Sequence, residues 1–107
     1  MILPGCVIEG KTIIGEDCEI GPNSRLTDME LADGVKFQTS TGLESSIGSG
    51  TTVGPFAYIR PNCHIGNNVK VGDFVEVKNS NIGNGTKIPH LSYVGDTDAG
   101  EKINFGC

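Results

Sequence analysis

The sequence predicts an all-β fold, a parallel β-helix whose short strands wind around a triangular prism of about six coils. Three observations support this prediction. An aliphatic residue returns at every sixth position along most of the chain, the position four residues later is usually small or β-branched, and glycine commonly follows the aliphatic residue. A period of six matches neither the helical turn of about 3.6 residues nor a long two-residue alternation, but it matches a short strand followed by a tight corner.

The aliphatic repeat runs through most of the chain. Its members are Ile2, Ile8, Ile14, Ile20, Leu26, then Ile47, Val53, Ile59, Ile65, Val71, Val77, and finally Ile82, Ile88 and Val94. Three such units make a coil of about 18 residues, whose backbone pairs with the coils on either side. The step from Leu43 to Ile47 is shorter than six residues, as are the steps Leu26–Leu31, Val77–Ile82 and Val94–Ala99, which indicates tightened corners. All of these lie within one predicted domain, residues 1–107.

The cysteines fit the repeat. Cys6, Cys18 and Cys63 each lie four positions after an inward aliphatic residue, where the pattern requires a small apolar side chain. The four cysteines of the chain include no C-x-x-C pair and lack the dense spacing of a secreted disulfide framework. We therefore expect reduced thiols in the core, and neither disulfides nor a metal site.

Charge and hydropathy argue against two classes of partner. The formal net charge is -5, and no run of lysine or arginine forms a basic stripe, so nucleic acid is not an expected partner. No segment approaches the roughly 20 apolar residues that cross a bilayer, and the first residues lack the features of a signal peptide. We expect no membrane partner and a cytoplasmic location.

Two cations interrupt the pattern where glycine or another undemanding residue usually follows the aliphatic position. Arg60 follows Ile59 and Lys78 follows Val77, which places the two cations one coil apart. Counting edges predicts that His90 and Tyr93 lie beside the same corner. Together with Asn104, one coil higher on the preceding face, these side chains are predicted to converge on one vertical strip.

This set allows two interpretations. Two cations, a base that titrates near neutral pH, a phenol and an amide suit a small phosphorylated and hydroxylated substrate. Alternatively, Arg60 and Lys78 are solvated cations that balance Glu76 and Asp73, and His90 is an ordinary corner residue. Spacing alone slightly favours the second interpretation.

Four segments carry a family resemblance: GPFAYIRP at 54–61, GDFVEVK at 72–78, HLSYVGD at 90–96 and INFG at 103–106. The hexapeptide pattern resembles that of left-handed β-helix acyltransferases. With these segments, the chain is similar to the C-terminal domain of bacterial bifunctional N-acetylglucosamine-1-phosphate uridyltransferase/glucosamine-1-phosphate acetyltransferases. The left hand of the predicted helix comes from this resemblance, because spacing does not determine it.

The resemblance implies transfer of an acetyl group from acetyl-CoA to the amine of glucosamine 1-phosphate, a step in UDP-N-acetylglucosamine synthesis. By motif, His90 would be the general base, Arg60 and Lys78 would hold the sugar phosphate, and Tyr93 and Asn104 would position the sugar. It also implies a homotrimer whose sites lie between neighbouring chains, and no metal in this domain.

The resemblance further implies that the chain is a fragment. Cys107 would belong to the acetyl-CoA site, most of which would lie in later coils, so we expect little activity from this chain alone. The uridyltransferase activity of the family would lie in a domain that the chain lacks.

Two other functions stay open. One is another hexapeptide acyltransferase that acts on a different small amine, and the other is a non-catalytic β-helix scaffold that trimerises. Zinc-dependent carbonic anhydrases of the same fold are disfavoured, because they need three histidine ligands and the chain has only His64 and His90.

Overall fold

The structure, a computed structural model, describes residues 1–103, which form a β-solenoid of parallel strands in three sheets. Sheet I contains β1 (Val7–Glu9), β4 (Arg25–Thr27), β7 (Thr41–Leu43), β10 (Tyr58–Ile59), β13 (Glu76–Lys78) and β16 (Tyr93–Gly95). Sheet II contains β2 (Ile13–Ile14), β5 (Glu30–Leu31), β8 (Ser46–Ile47), β11 (His64–Ile65), β14 (Asn81–Ile82) and β17 (Asp98–Ala99). Sheet III contains β3 (Glu19–Ile20), β6 (Lys36–Phe37), β9 (Thr52–Val53), β12 (Lys70–Val71) and β15 (Lys87–Ile88).

The chain visits the sheets in the order I, II, III, so each strand pairs with the strand one coil away. The described residues complete five coils and add two strands of a sixth. This confirms the predicted parallel β-solenoid. No helix forms within residues 1–103, and hence none there could span a membrane.

The core is a column of inward aliphatic side chains. From Ile20 to Val94, every repeat position named above is at most 3% exposed, and Phe37 fills the equivalent place in β6. Side chains alternate between the two faces of a strand, so the residue before and the residue after each inward position point outward. This alternation makes the outer faces available for chemistry.

One predicted inward position is wrong. Leu26 pairs with Gly42, and Gly42 pairs with Ile59, so the inward residue of β7 is Gly42 and not Leu43. The physical reason is volume. A Cβ at Gly42 would lie 2.8 Å from Met29 Cε and 3.2 Å from Phe37 Cζ, which shows that these two side chains already fill that layer.

Hydroxyl and thiol groups two residues before the inward aliphatic positions link successive coils. Thr51 Oγ1 donates to Gly66 O at 2.7 Å and accepts from Val69 N at 3.1 Å. Cys63 Sγ donates to Val77 O at 3.3 Å. Cys18 and Cys63 are buried as predicted, whereas Cys6 in the first coil is only partly buried. These residues therefore fill the core and also pair backbone groups at the corners.

The first coil is less well covered than the coils that follow it. Ile2 is 52% exposed and Ile8 is 39% exposed, although both belong to the aliphatic repeat. Each inward side chain is covered by the layers on both sides of it, and within the described residues these two have a layer on one side only. Among the aliphatic repeat positions, burial is therefore complete only from Ile20 onward, as far as Val94.

Candidate functional site

The outer face of sheet I carries the two predicted cations side by side. Arg60 and Lys78 follow Ile59 and Val77, which are partners in adjacent strands. Adjacent strands lie about 4.8 Å apart, so the two side chains leave the same edge of the face from neighbouring coils. Both residues are partly exposed. The structure thus brings Arg60 and Lys78 together.

Arg60 forms an ion pair with Glu76, which the sequence suggested only as a balancing charge. Its Nη1 donates to Glu76 Oε2 at 3.0 Å, and both side chains remain more than a third exposed. This hydrogen bond, followed by the Coulombic attraction of the same carboxylate, raises the pKa of Arg60 above its ordinary value. Arg60 Cζ also lies 6.0 Å from the Tyr58 ring centroid. Arg60 is therefore permanently charged and already oriented.

Tyr93 begins the next strand of the same face. It pairs with Glu76, and Gly95, two residues later, pairs with Lys78. A Cβ at Gly95 would lie 2.6 Å from the Tyr93 hydroxyl, so the Tyr93 ring lies along its strand over Gly95. Glycine at this position leaves the room for the phenol to reach the Lys78 side of the face.

His90 lies at the corner that leads from sheet III into sheet I, not beside Lys78. It follows β15, its side chain is exposed, and its carbonyl accepts a hydrogen bond from Ser92 Oγ at 3.5 Å. A full strand of sheet I separates this corner from the edge that bears Arg60 and Lys78. Of the predicted set, the described residues Arg60, Lys78 and Tyr93 lie on one face and His90 at its leading corner, rather than on a single vertical strip.

An exposed apolar ladder occupies that same corner. Phe56 and Phe74 stack with their ring centroids 5.5 Å apart, and Leu91 stands in the equivalent place one coil later. All three are more than half exposed and adopt positive φ values between 54° and 59°. Bulky residues are uncommon in this left-handed region, which asparagine, aspartate and glycine favour. The ladder therefore places exposed apolar side chains at the corner that carries His90.

Three predicted residues need separate mention. Asn104 and Cys107 lie outside the described residues. His64, for which no function was favoured, lies on the outer face of sheet II with its Nδ1 3.0 Å from Ser46 Oγ. No group of three potential metal ligands occurs within residues 1–103.

Comparisons with known proteins agree with this architecture. The sequence model of the bacterial transferase hexapeptide (six repeats) matches residues 1–28 and 44–79, more than half of the chain. Among solved structures, WeeI from Acinetobacter baumannii AYE aligns with 94% of this chain and 51% of its own, with 17% identity and a TM-score of 0.47. A likeness at that level supports no further argument.

Curated relatives are much more similar in sequence. The bifunctional protein GlmU of Clostridium novyi (strain NT) is 54% identical over all 107 residues, which is 24% of the relative's length. The bifunctional protein GlmU of Thermoanaerobacter pseudethanolicus is 56% identical, again over the whole of this chain and 23% of the relative. The chain therefore spans about a quarter of these proteins. On the strength of its hexapeptide repeats, the chain belongs to the bacterial transferase hexapeptide family.

Proposed function

We propose that the chain carries the acceptor half of an acetyltransferase site, which takes glucosamine 1-phosphate as acceptor and acetyl-CoA as donor. The observation that carries this proposal is that Arg60 and Lys78 lie on neighbouring strands of one outer face. Glu76 lies on the strand of Lys78 and bonds Arg60, and Tyr93 lies on the next strand. The high identity to GlmU proteins favours this acceptor over other small amines.

The phosphate of the acceptor would bind to Arg60 and Lys78. Two cations one coil apart can hold different oxygens of one phosphate, and the guanidinium adds a planar pair of donors. In the absence of substrate, Glu76 accepts a hydrogen bond from the same guanidinium. A phosphate that takes one Arg60 donor would leave another for Glu76, so the carboxylate would keep the side chain oriented.

Glu76 would also attract the ammonium group of an amino sugar, since it is an anion on the same face as the phosphate-binding cations. His90 would take a proton from that ammonium, so that the nitrogen lone pair attacks the thioester carbonyl of acetyl-CoA. The tetrahedral intermediate then expels the CoA thiolate, which receives a proton, and N-acetylglucosamine 1-phosphate is released. No acyl-enzyme is required.

A site shared between chains fits the positions of these residues. On one chain, a strand of sheet I separates His90 from the Arg60 and Lys78 edge. In the proposed homotrimer, His90 of one chain would face the cations of a neighbour. The proposed location is the cytoplasm, where acetyl-CoA is available to the enzyme.

The first test measures binding of glucosamine 1-phosphate to this chain by titration calorimetry. We expect binding that Arg60→Gln and Lys78→Gln each weaken, and that glucosamine without phosphate does not reproduce. Lys11→Gln is the matched control, because it removes an equal charge from a remote corner. Equal affinity for the phosphorylated and unphosphorylated sugars would contradict the proposed role of the two cations.

The second test measures thiol release from acetyl-CoA with the full-length Clostridium novyi relative, substituted at the positions that match His90 and Arg60. Each single variant should lose most activity, and mixed trimers of the two should regain part of it. Full activity after the histidine is replaced by alanine would contradict its role as general base, whereas no thiol release from the unsubstituted protein would favour a scaffold. Retained activity with unphosphorylated amines would favour another acyltransferase.

A further inference from the structure

A column of lysines runs along the outer face of sheet III. Lys36 pairs with Thr52, Thr52 pairs with Lys70, and Lys70 pairs with Lys87. All three lysines are exposed. They come from three different coils, which is why no basic run marks them in the linear sequence. The fold therefore assembles a basic stripe in a chain whose net charge is -5.

The ammonium groups of these lysines form no ion pair within residues 1–103. The two ion pairs of that part of the chain join Arg25 to Glu9 and Arg60 to Glu76. Glu19 continues the column below Lys36 but forms no ion pair with it. Lys70 and Lys87 stand directly opposite each other on neighbouring strands, an arrangement in which like charges destabilise a sheet. A bound anion would offset this repulsion.

The column borders a groove of about 780 Å³, a volume in the range of small-molecule sites. The groove is lined by the three lysines, by Gln38 and Thr52, and otherwise by apolar or glycine positions of sheet III and its corner. None of these lining residues is acidic. Gln38 and Thr52 add neutral hydrogen-bonding groups next to the cations, so the lining favours an anion over a cation.

We propose that this groove binds a linear oligophosphate, either inorganic or as the triphosphate chain of a nucleotide. Lys70 and Lys87 would contact neighbouring phosphate groups, and Lys36, two strands further along, would contact the other end. An extended anion suits a linear column better than a compact one does. The lysine ammonium is a compact point charge with three donors, which binds the oxygens of successive phosphate groups.

This site is distinct from the acceptor site proposed above. Arg60 and Lys78 lie on sheet I, and the corner that bears His90 separates the two faces. A test must therefore remove phosphate binding on sheet I. We would use the Arg60→Gln/Lys78→Gln double variant as the background and titrate it with inorganic tripolyphosphate by calorimetry.

In that background we expect one tripolyphosphate per chain. Lys70→Gln or Lys87→Gln should weaken binding about tenfold, because each removes one charge-assisted contact. Lys11→Gln, which removes the same charge from a distant corner, should change the dissociation constant by less than about twofold. Unchanged thermal midpoints would show that the outward substitutions leave the fold intact.

Three results would overturn the proposal: no binding, equal weakening by Lys11→Gln and Lys70→Gln, or tighter binding of a short DNA duplex than of tripolyphosphate. ATP distinguishes the two sources of the chain. Tighter binding of ATP than of tripolyphosphate would assign the groove to a nucleotide, and weaker or equal binding would assign it to the inorganic chain.

Discussion

The environment of a single residue in this fold depends on the side chains that share its layer of the core. Gly42 occupies an inward position, yet the space in front of it is filled by Met29 and Phe37. Cys63 is buried and donates its S–H to the carbonyl of Val77. Substitution of Gly42 therefore tests the packing of its layer, and substitution of Cys63 tests the effect of a buried thiol that titrates.

Gly42→Ala should lower the free energy of unfolding by about 1–3 kcal/mol, because the added methyl overpacks a filled layer. Gly100→Ala is the matched control, since a Cβ there meets nothing within 4 Å. Denaturant unfolding would measure both. Shortening the opposing side chain by Met29→Val should restore part of the loss. Equal stabilities of the two alanine variants would show that the layer is not full.

Burial raises the pKa of the Cys63 thiol above its ordinary range. A raised pKa in the folded state means that the thiol contributes stability below the unfolded-state pKa of about 8.5, and that this contribution is lost as the pH rises through the folded-state pKa. We expect the stability of the wild type to fall more steeply above that pH than that of Cys63→Ser, which keeps a donor but does not titrate there. Parallel pH profiles would contradict this.

At the scale of the elements, the corners are stabilised by side chains that pair backbone groups of the next coil. Thr51 both donates to Gly66 O and accepts from Val69 N. Ser45, Ser80 and Thr86 make comparable bonds to the following coil. Strands of two or three residues thus rely on these corner bonds as well as on their own ladders.

Thr51→Val should cost about 1–3 kcal/mol, because the shape is kept while the buried Val69 N–H loses its acceptor. Thr52→Val is the control on the neighbouring residue, whose side chain points outward, and should change stability by less than about 0.5 kcal/mol. Chemical denaturation monitored by circular dichroism would compare them. A similar small effect for both would show that the corner bond contributes little.

The strands and most inward residues could be predicted from the sequence, because a closed triangular coil demands an aliphatic residue at a fixed interval. Gly42 could not, because its place is filled by side chains from other positions. The stacking of Arg60 on Lys78 followed from their separation by one coil. The Arg60–Glu76 ion pair depends on side-chain conformation, and the column of Lys36, Lys70 and Lys87 depends on the shortened coils, so neither was visible in the spacing.

At the scale of the whole molecule, stability is expected to vary along the axis. Each coil contacts only its neighbours, so burial and backbone pairing are complete in the middle coils and incomplete in the first. The exposed Ile2 and Ile8 contrast with the fully buried Ile59 and Val77. The molecule should therefore open from an end.

Amide hydrogen exchange measures this directly. The amides of Val7 and Ile13 should exchange with an opening free energy close to zero, whereas those of Ile59 and Val77 should approach the global value. A higher concentration of denaturant should unfold the middle coils together. Uniform protection from the first coil to the fifth would contradict a stack that frays.

Because each strand pairs with the strand one coil away, a residue's position along the solenoid axis can change without a change in the side of the prism that it faces. A coil of 16 to 18 residues, as between Leu26 and Gly42 or between Ile8 and Leu26, advances the chain by one rung and returns it to the same side. A duplicated coil would therefore lengthen the lysine column or the cation pair by a rung without turning either one away from its neighbours. Such a molecule can acquire new surface chemistry by growth along its axis, and its existing surfaces need not be rebuilt.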